Sequence, residues 1–306
     1  MANAFPRGRF VWHELMTTDL DLAARFYPKV TGWKAEASPE DPTYHLWRVG
    51  KTSAGGLMSL PEEAKRMGAP PQWMPYVGVP DVADTLRQAQ SLGAKVYVPA
   101  TDIVWGRFAT LADPQGAPFS LFQPKDAGDS GSDAPKRGEF SWHELATTDW
   151  RAAWGFYQRL FGWEEADSMD MGAAGTYSMF RRAGAKAPTG GMYTKPAEMP
   201  GPPHWLCYVS VADADVAART VKAGGGTVVN GPMDIPGGGR IAMCMDPQGA
   251  AFAVHAAGAP QPKGKRVARK SKPRPKPKPA KKAKKKTAAR KVARKKPARS
   301  PRGRRR

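Results

Sequence analysis

An internal repeat constrains this chain more than any other feature. The segment 7–19 returns as 137–149, with Trp12, His13 and Glu14 answered by Trp142, His143 and Glu144. Phe-Tyr, Gly-Trp and Asp-Pro-Gln-Gly motifs follow in the same order in both copies, the last at 113–116 and 246–249. Similarity at this long spacing predicts two copies of one domain rather than a short-period solenoid.

The charge of the chain is concentrated at its carboxyl end. Of 48 Lys and Arg residues, 24 lie between Gln261 and Arg306, where there is no Asp or Glu. The first 260 residues therefore have no basic excess of their own. No secretory signal and no bilayer-spanning apolar run is visible, and the two cysteines do not form a disulfide framework. We expect a soluble, cytoplasmic protein whose Cys207 and Cys244 are buried strand residues.

The hydrophobic pattern of each copy predicts an α+β fold. Residues 10–17 alternate, which places Trp12 and Glu14 on one face of a strand and His13 on the other. A helix capped by Asp19 and ended by Gly32 should follow, and then three short strands. The same unit restarts with a second strand and helix and ends in a strand after the Asp-Pro-Gln-Gly turn.

These units predict the domain organisation of the whole chain. We expect a first domain over 1–124, a polar linker over 125–136 and a second domain over 137–257. Residues 258–306 are rich in Lys, Arg, Pro and Ala, and they lack the apolar content needed to fold alone. We expect this tail to be disordered.

The motifs around Asp19, Phe26-Tyr27 and Gly32-Trp33, with Asp-Pro-Gln-Gly before a final strand, resemble the vicinal oxygen chelate (VOC) superfamily. This superfamily includes glyoxalases, bleomycin-resistance proteins and extradiol dioxygenases, and tandem members are described as glyoxalase-like or as hydroxylases. The resemblance covers residues 7–123 and 137–256. It implies two tandem domains, each of paired βαβββ modules that curl into a cup holding a small molecule.

The resemblance also implies where a metal would bind, because family metalloenzymes take His, Gln or Glu ligands from set strand positions. In the first copy these positions fall on Trp12, residues 56–58, Met74 and Ser120. In the second copy they fall on Trp142, residues 191–193, Leu206 and Ala253. We therefore expect no standard metal site and no other cofactor, with a nonstandard divalent-metal site as the alternative.

Glu14 and Glu144 are the candidate catalytic residues, because their strand positions face the cup. A carboxyl group in a partly apolar pocket has a raised pKa and can act as a general acid or base, or it can simply accept hydrogen bonds. We favour a structural or binding role over catalysis.

Candidate ligand-binding residues face the same cups. The tryptophans could stack on a planar ligand or fill the core, and the tyrosines could offer hydroxyl groups or complete the sheet. These candidates are Trp12, Tyr76, Ser120, Trp142 and Tyr208, of which Ser120 is expected to line the wall. His13 and His143 fall on the opposite face, towards the helix, and we expect hydrogen-bonded packing histidines.

The tail is the candidate contact with nucleic acid or another polyanion. Its positive charges would neutralise phosphates with little sequence preference and with a steep dependence on salt. The densest basic positions are Lys281, Lys282, Lys284, Lys285, Lys286, Arg304, Arg305 and Arg306.

The first functional hypothesis is a small-molecule-binding protein without the standard metal site. Its tail would bind nucleic acid and so hold the protein at the nucleoid. The first alternative is a glyoxalase-like lyase, hydroxylase or dioxygenase-type enzyme that uses Glu14, Glu144 or a nonstandard metal. The second is an architectural nucleic-acid-binding protein. A homodimer remains open.

Overall fold

The structure, a computed structural model, describes residues 7–125 and 135–258. Most of the predicted linker lies outside these residues. The predicted disordered tail, with every basic position proposed to contact nucleic acid, also lies outside them, apart from residue 258.

Each copy of the repeat forms one eight-stranded sheet. The strands of the first copy are β1 Phe10–Thr17, β2 Lys34–Ala37, β3 His45–Val49, β4 Thr52–Ser59, β5 Gln72–Gly78, β6 Lys95–Ile103, β7 Gly106–Ala112 and β8 Pro118–Pro124. Its helices are α1 Leu20–Thr31, α2 Glu62–Arg66 and α3 Val82–Ser91. The strand order is β2-β3-β4-β1-β5-β8-β7-β6.

The second copy repeats this plan. Its strands are β9 Phe140–Thr147, β10 Glu164–Asp170, β11 Thr176–Arg181, β12 Gly190–Thr194, β13 His204–Ser210, β14 Thr227–Asp234, β15 Gly239–Met245 and β16 Ala251–Ala257. Its helices are α4 Trp150–Phe161 and α5 Ala214–Ala223, with a 3-10 turn at Gly172–Ala174. In both sheets the first strand is parallel to one neighbour and antiparallel to the other, which joins two βαβββ modules. The predicted α+β fold of paired modules is confirmed.

The predicted helix boundaries follow from local chemistry. The Asp19 side chain accepts a hydrogen bond from the backbone N–H of Leu22 at 2.9 Å, and Gly32 ends α1 with φ of 81°. Asp149 and Gly162 do the same for α4. The sequence pattern does not predict the short surface helix α2, which buries no residue.

The first helix of each copy packs against the second module of the other copy. The hydroxyl of Tyr27 in α1 donates to Asp246 at 3.0 Å, and that of Tyr157 in α4 donates to Asp113 at 3.0 Å. These aspartates begin the two Asp-Pro-Gln-Gly turns, so each turn also binds the first helix of the other copy of the repeat. The two largest hydrophobic clusters of the described residues are each built from both copies.

His13 and His143 meet where the two copies join. Their Nε2 atoms are 2.7 Å apart, and the ring of His143 stacks on Phe10 while that of His13 stacks on Phe140. Both residues are buried, and burial lowers both pKa values, that of His143 to about 4. The histidines thus have the packing role that we predicted, but they face each other rather than a helix.

The remaining structural expectations concern cysteines and membrane segments. Cys207 and Cys244 are free and buried, as predicted. Among the helices of residues 7–125 and 135–258, none is long and apolar enough to cross a bilayer.

Candidate functional site

Strand register gathers the predicted site residues of the first copy on one face of the sheet. Glu14 lies opposite Gly56 on β4 and Met74 on β5. Trp12 lies opposite Tyr76, which lies opposite Ser120 on β8. Residues that stand opposite each other share a face, and the other face is buried against helices. Trp12, Glu14, Tyr76 and Ser120 therefore line the helix-free face, which is the cup.

Two tyrosine hydroxyls hold the carboxyl group of Glu14. Tyr44 donates to Oε1 at 2.8 Å and Tyr76 donates to Oε2 at 2.7 Å. The indole Nε1 of Trp12 donates in turn to the Tyr44 hydroxyl at 2.9 Å. Glu14 is only 7 % exposed, so these bonds replace the water that an exposed carboxylate would bind.

Glycine on β4 makes the Glu14 cluster possible. A Cβ atom at Gly56 would lie 1.8 Å from the hydroxyl oxygen of Tyr44, and one at Gly191 would lie 2.2 Å from the ring of Tyr177. The glycines thus give the tyrosines their space. Tyr44 and Tyr177 were missed by sequence reasoning, although both stand three residues before an aromatic residue, Trp47 or Phe180, of the repeat.

The second copy builds a similar but looser cluster. Tyr177 donates to Oε2 of Glu144 at 3.0 Å, and Nε1 of Trp142 donates to the Tyr177 hydroxyl at 2.8 Å. Tyr208 occupies the position of Tyr76 and lies near enough to lower the pKa of Glu144. Its hydroxyl is nevertheless buried without a well-formed hydrogen bond.

Burial sets the protonation of both carboxyl groups. Desolvation raises the pKa of Glu14 and of Glu144, the latter to about 7, and the tyrosine hydrogen bonds oppose the rise. Desolvation and the neighbouring carboxylate raise the pKa of Tyr76 and Tyr208 as well, so these phenols stay protonated. Glu144 can therefore exchange a proton near neutral pH, whereas the tyrosines act as hydrogen-bond donors.

The side chains at the positions that the resemblance implies for metal ligands are poor metal donors. In the first cup these positions are Trp12, residues 56–58, Met74 and Ser120, and both oxygens of the nearby Glu14 carboxyl group are engaged by tyrosines. Ser120 is fully buried and bonded to Thr110 at 2.9 Å. Within residues 7–125 and 135–258, no three His, Cys, Asp or Glu side chains converge to hold a metal.

His204 and His255 do not join the cluster of the second cup. His255, which shares the inward side of β16 with Ala253, approaches Ser141 at 3.1 Å, and His204 bonds the carbonyl of Pro202. Neither histidine stands beside Glu144 as a second metal ligand.

Comparisons with known proteins place both copies in one family. The profile of the Glyoxalase/Bleomycin resistance protein/Dioxygenase superfamily matches residues 140–254, and that of the Glyoxalase-like domain matches residues 12–122. The chain is 34 % identical over 255 residues to "Putative glyoxylase CFP32" of Mycobacterium tuberculosis, covering 82 % of this chain and 95 % of that protein. It is 27 % identical to the "Anthracycline biosynthesis protein DnrV" of Streptomyces peucetius, covering 82 % and 94 %.

Solved structures share the same fold at low sequence identity. The Mn(II)-bound glyoxalase from Novosphingobium aromaticivorans matches with a TM-score of 0.58 at 14 % identity, covering 82 % of each chain. The 2,3-dioxygenase LapB from Pseudomonas sp. KL28 matches with a TM-score of 0.57 at 14 % identity, covering 84 % of this chain and 94 % of that chain. From its two matching domains, its close relative over nearly full length and its fold, this chain belongs to the glyoxalase/bleomycin resistance/dioxygenase (VOC) superfamily.

Proposed function

We propose that the protein binds a small organic molecule in a cup without the help of a metal ion. The observation that carries this proposal is the Trp–Tyr–Glu hydrogen-bond cluster of each cup, in which a tryptophan stands at the first-strand position that the family resemblance implies for a metal ligand. A cup that retains aromatic walls and one carboxyl group, but no converging metal donors, is suited to recognition by shape and hydrogen bonds.

The half-buried indoles of Trp12 and Trp142 favour a flat ligand, because aromatic rings stack on flat apolar surfaces. Two relatives are named for the biosynthesis of anthracyclines, which are compounds built on flat fused rings. This is compatible with an aromatic ligand.

Native mass spectrometry and elemental analysis of full-length protein, purified without chelators, test the proposal. We expect a co-purified organic molecule that is released on denaturation, and a divalent metal content far below one ion per chain. A stoichiometric transition metal held in the native protein would contradict the proposal.

The second candidate is an enzyme that uses Glu144 as a general acid or base. In its favour, Glu144 is a buried carboxyl group in the cup, and burial raises its pKa to about 7, which suits proton transfer near neutral pH. Once a ligand is identified, Glu144→Gln should remove turnover while leaving binding within a few-fold of wild type. Equal turnover in both proteins would exclude this role.

We further propose that the tail binds nucleic acid and so brings the cups close to it, in the nucleoid. Its 24 basic side chains between Gln261 and Arg306, with no acidic residue among them, support this proposal. Duplex DNA binding should fall steeply with salt and collapse on truncation after Pro260. Equal binding by the truncated protein would refute it. If the protein is instead an architectural nucleic-acid-binding protein, a substitution that fills either cup should change none of the effects that deletion of the tail changes.

A further inference from the structure

Each cup surrounds a buried carboxyl group that, among the described residues, has no positively charged partner. We propose that the cups take an organic cation, a flat molecule that carries a protonated amine or a quaternary nitrogen. This inference rests on the proposed function, which it narrows to one charge class of ligand.

The carboxyl groups of Glu14 and Glu144 are buried without a cation beside them. Each residue is only 7 % exposed, and within residues 7–125 and 135–258 neither forms an ion pair. Tyrosine hydroxyls bond or border them instead, namely those of Tyr44, Tyr76, Tyr177 and Tyr208. Glutamate is seldom buried unless it is paired, and burial raises the pKa of both groups, that of Glu144 to about 7. Each cup therefore offers a ligand one carboxyl group that only a cation would pair.

The direction of the hydrogen bonds favours the charged form of each carboxyl group. An indole N–H can only donate. Because Nε1 of Trp12 donates to the hydroxyl of Tyr44, the proton of that hydroxyl goes to Oε1 of Glu14. Trp142 and Tyr177 form the same chain to Glu144. Each chain ends on an oxygen that accepts, so a bound cation would match the hydrogen bonds already present, whereas a bound anion would oppose them.

Aromatic rings surround the carboxyl group of the first cup. Besides Trp12, the two tyrosines that bond Glu14 each have a further ring beside them. The ring of Trp105 lies 5.7 Å from that of Tyr44, and the ring of Phe108 lies 6.3 Å from that of Tyr76. The faces of aromatic rings attract positive charge, and quaternary ammonium ligands are bound in cages of this kind.

The second cup has an equivalent set of rings. Tyr177 and Tyr193 are stacked with their centroids 6.1 Å apart. Burial and the nearby Glu144 raise the pKa of Tyr193 and of Tyr208, so all of these phenols remain neutral donors around the carboxyl group. A neutral ligand would use the rings of this cup but not its carboxyl group, whereas a cation would use both.

Methionines border both carboxyl groups and give a ligand a way to reach them. Met16 and Met58 stand opposite each other on β1 and β4, and both are half-buried. In the second cup, partly buried methionines pack against the tyrosines, namely Met169, Met171, Met179 and Met199. Methionine is unbranched and repacks easily, so a flat ligand can displace these side chains without moving the strands.

Equilibrium dialysis of the full-length protein with a matched pair of probes tests the inference. N-methylquinolinium is a flat cation, and 1-methylnaphthalene has nearly the same shape without the charge. At physiological ionic strength we expect a Kd for the cation that is at least about tenfold lower than that for the neutral probe. The basic tail repels the cation, so the tail cannot produce this preference.

The test variant combines Glu14→Gln with Glu144→Gln, which removes both negative charges and keeps the size of the side chains. We expect its preference for the cation to fall at least about fivefold, while the Kd of the neutral probe stays within about twofold of wild type. The matched control combines Glu62→Gln with Glu63→Gln in the surface helix α2, which changes the net charge equally. This control should keep the preference of wild type.

The measurement on wild type alone decides the charge class. Equal or weaker binding of the cation, or a preference that persists without Glu14 and Glu144, would overturn the inference. If wild type binds neither probe, the charge of its co-purified molecule decides instead. A cation supports the inference, whereas a neutral or anionic molecule overturns it and leaves the proposed function standing. If the protein neither binds a probe nor carries an organic molecule, both fail.

Discussion

Replacing Glu144 by Gln should stabilise the folded protein at alkaline pH and have little effect at acidic pH. Burial raises the folded-state pKa of Glu144 from 4.5 to about 7. Between these values the folded chain keeps a proton that the unfolded chain has lost. The stabilisation from this group is therefore complete below pH 4.5 and is lost as the pH rises through about 7.

The size of the effect follows from the gap between the two pKa values. Each pKa unit corresponds to about 1.4 kcal/mol, so the whole gap is worth up to about 3 kcal/mol in the free energy of unfolding. Tyr177, Tyr193 and Tyr208 have pKa values raised above 10 and do not titrate in this range. The histidines are common to both proteins, so the difference between variant and wild type isolates Glu144.

Urea unfolding of wild type and Glu144→Gln across the range from acid to mildly alkaline pH measures this difference. We expect similar stabilities near pH 4.5 and a variant that is more stable by about 2 to 3 kcal/mol well above pH 7. Glu14→Gln is the matched control. The amide of Glu14→Gln can accept only one of the two tyrosine hydrogen bonds. The free energy of unfolding of this variant should therefore rise less at alkaline pH than that of Glu144→Gln. A difference between Glu144→Gln and wild type that does not change with pH would refute the reasoning.

Three further predictions concern the interface and the glycines. Because burial lowers the folded pKa of His143 to about 4, stability should fall as the pH drops from 6.5 towards 4, and NMR should show a neutral imidazole at about pH 5.5. Fragments 7–125 and 135–258 should be poorly folded alone but should form a one-to-one complex when mixed, by circular dichroism and size exclusion, because each core contains both copies. Two independently folded fragments would contradict this. Gly56→Ala should cost about 1 to 3 kcal/mol in urea unfolding by displacing the adjacent tyrosine hydroxyl, whereas Gly155→Ala, in open space on a helix, should stabilise by about 0.5 to 1 kcal/mol. Equal effects would remove the steric argument.

Sequence periodicity was sufficient to predict the fold and to predict which side chains of the first strand in each copy face the cup. Alternation along β1 placed Trp12 and Glu14 in the cup, and the repeat extended this to the second copy. The capping residues gave the helix ends because capping is local chemistry. These features depend on neighbours within a few residues, which is the range over which a sequence pattern is informative.

Other parts of the site depend on contacts between distant segments. Tyr44 ends a turn before β3 and reaches Glu14 thirty residues earlier in the chain, which no periodicity indicates. The packing of each first helix on the other copy was equally hidden, since two matching copies offer the helix two equivalent partners. The looser contact of Tyr208 with its glutamate, compared with that of Tyr76, depends on side-chain placement that differs between nearly identical motifs.

Metal independence of ligand binding is the most direct test of the whole account. The measurement is the fraction of full-length protein that holds its co-purified organic molecule in excess EDTA, by native mass spectrometry, compared with the fraction after addition of Mn(II) or Fe(II). Because the carboxyl group of each cup is bonded by tyrosine and no three His, Cys, Asp or Glu side chains converge within residues 7–125 and 135–258, we expect the same fraction under all conditions. Binding that disappears in EDTA and returns with a divalent metal would contradict the account.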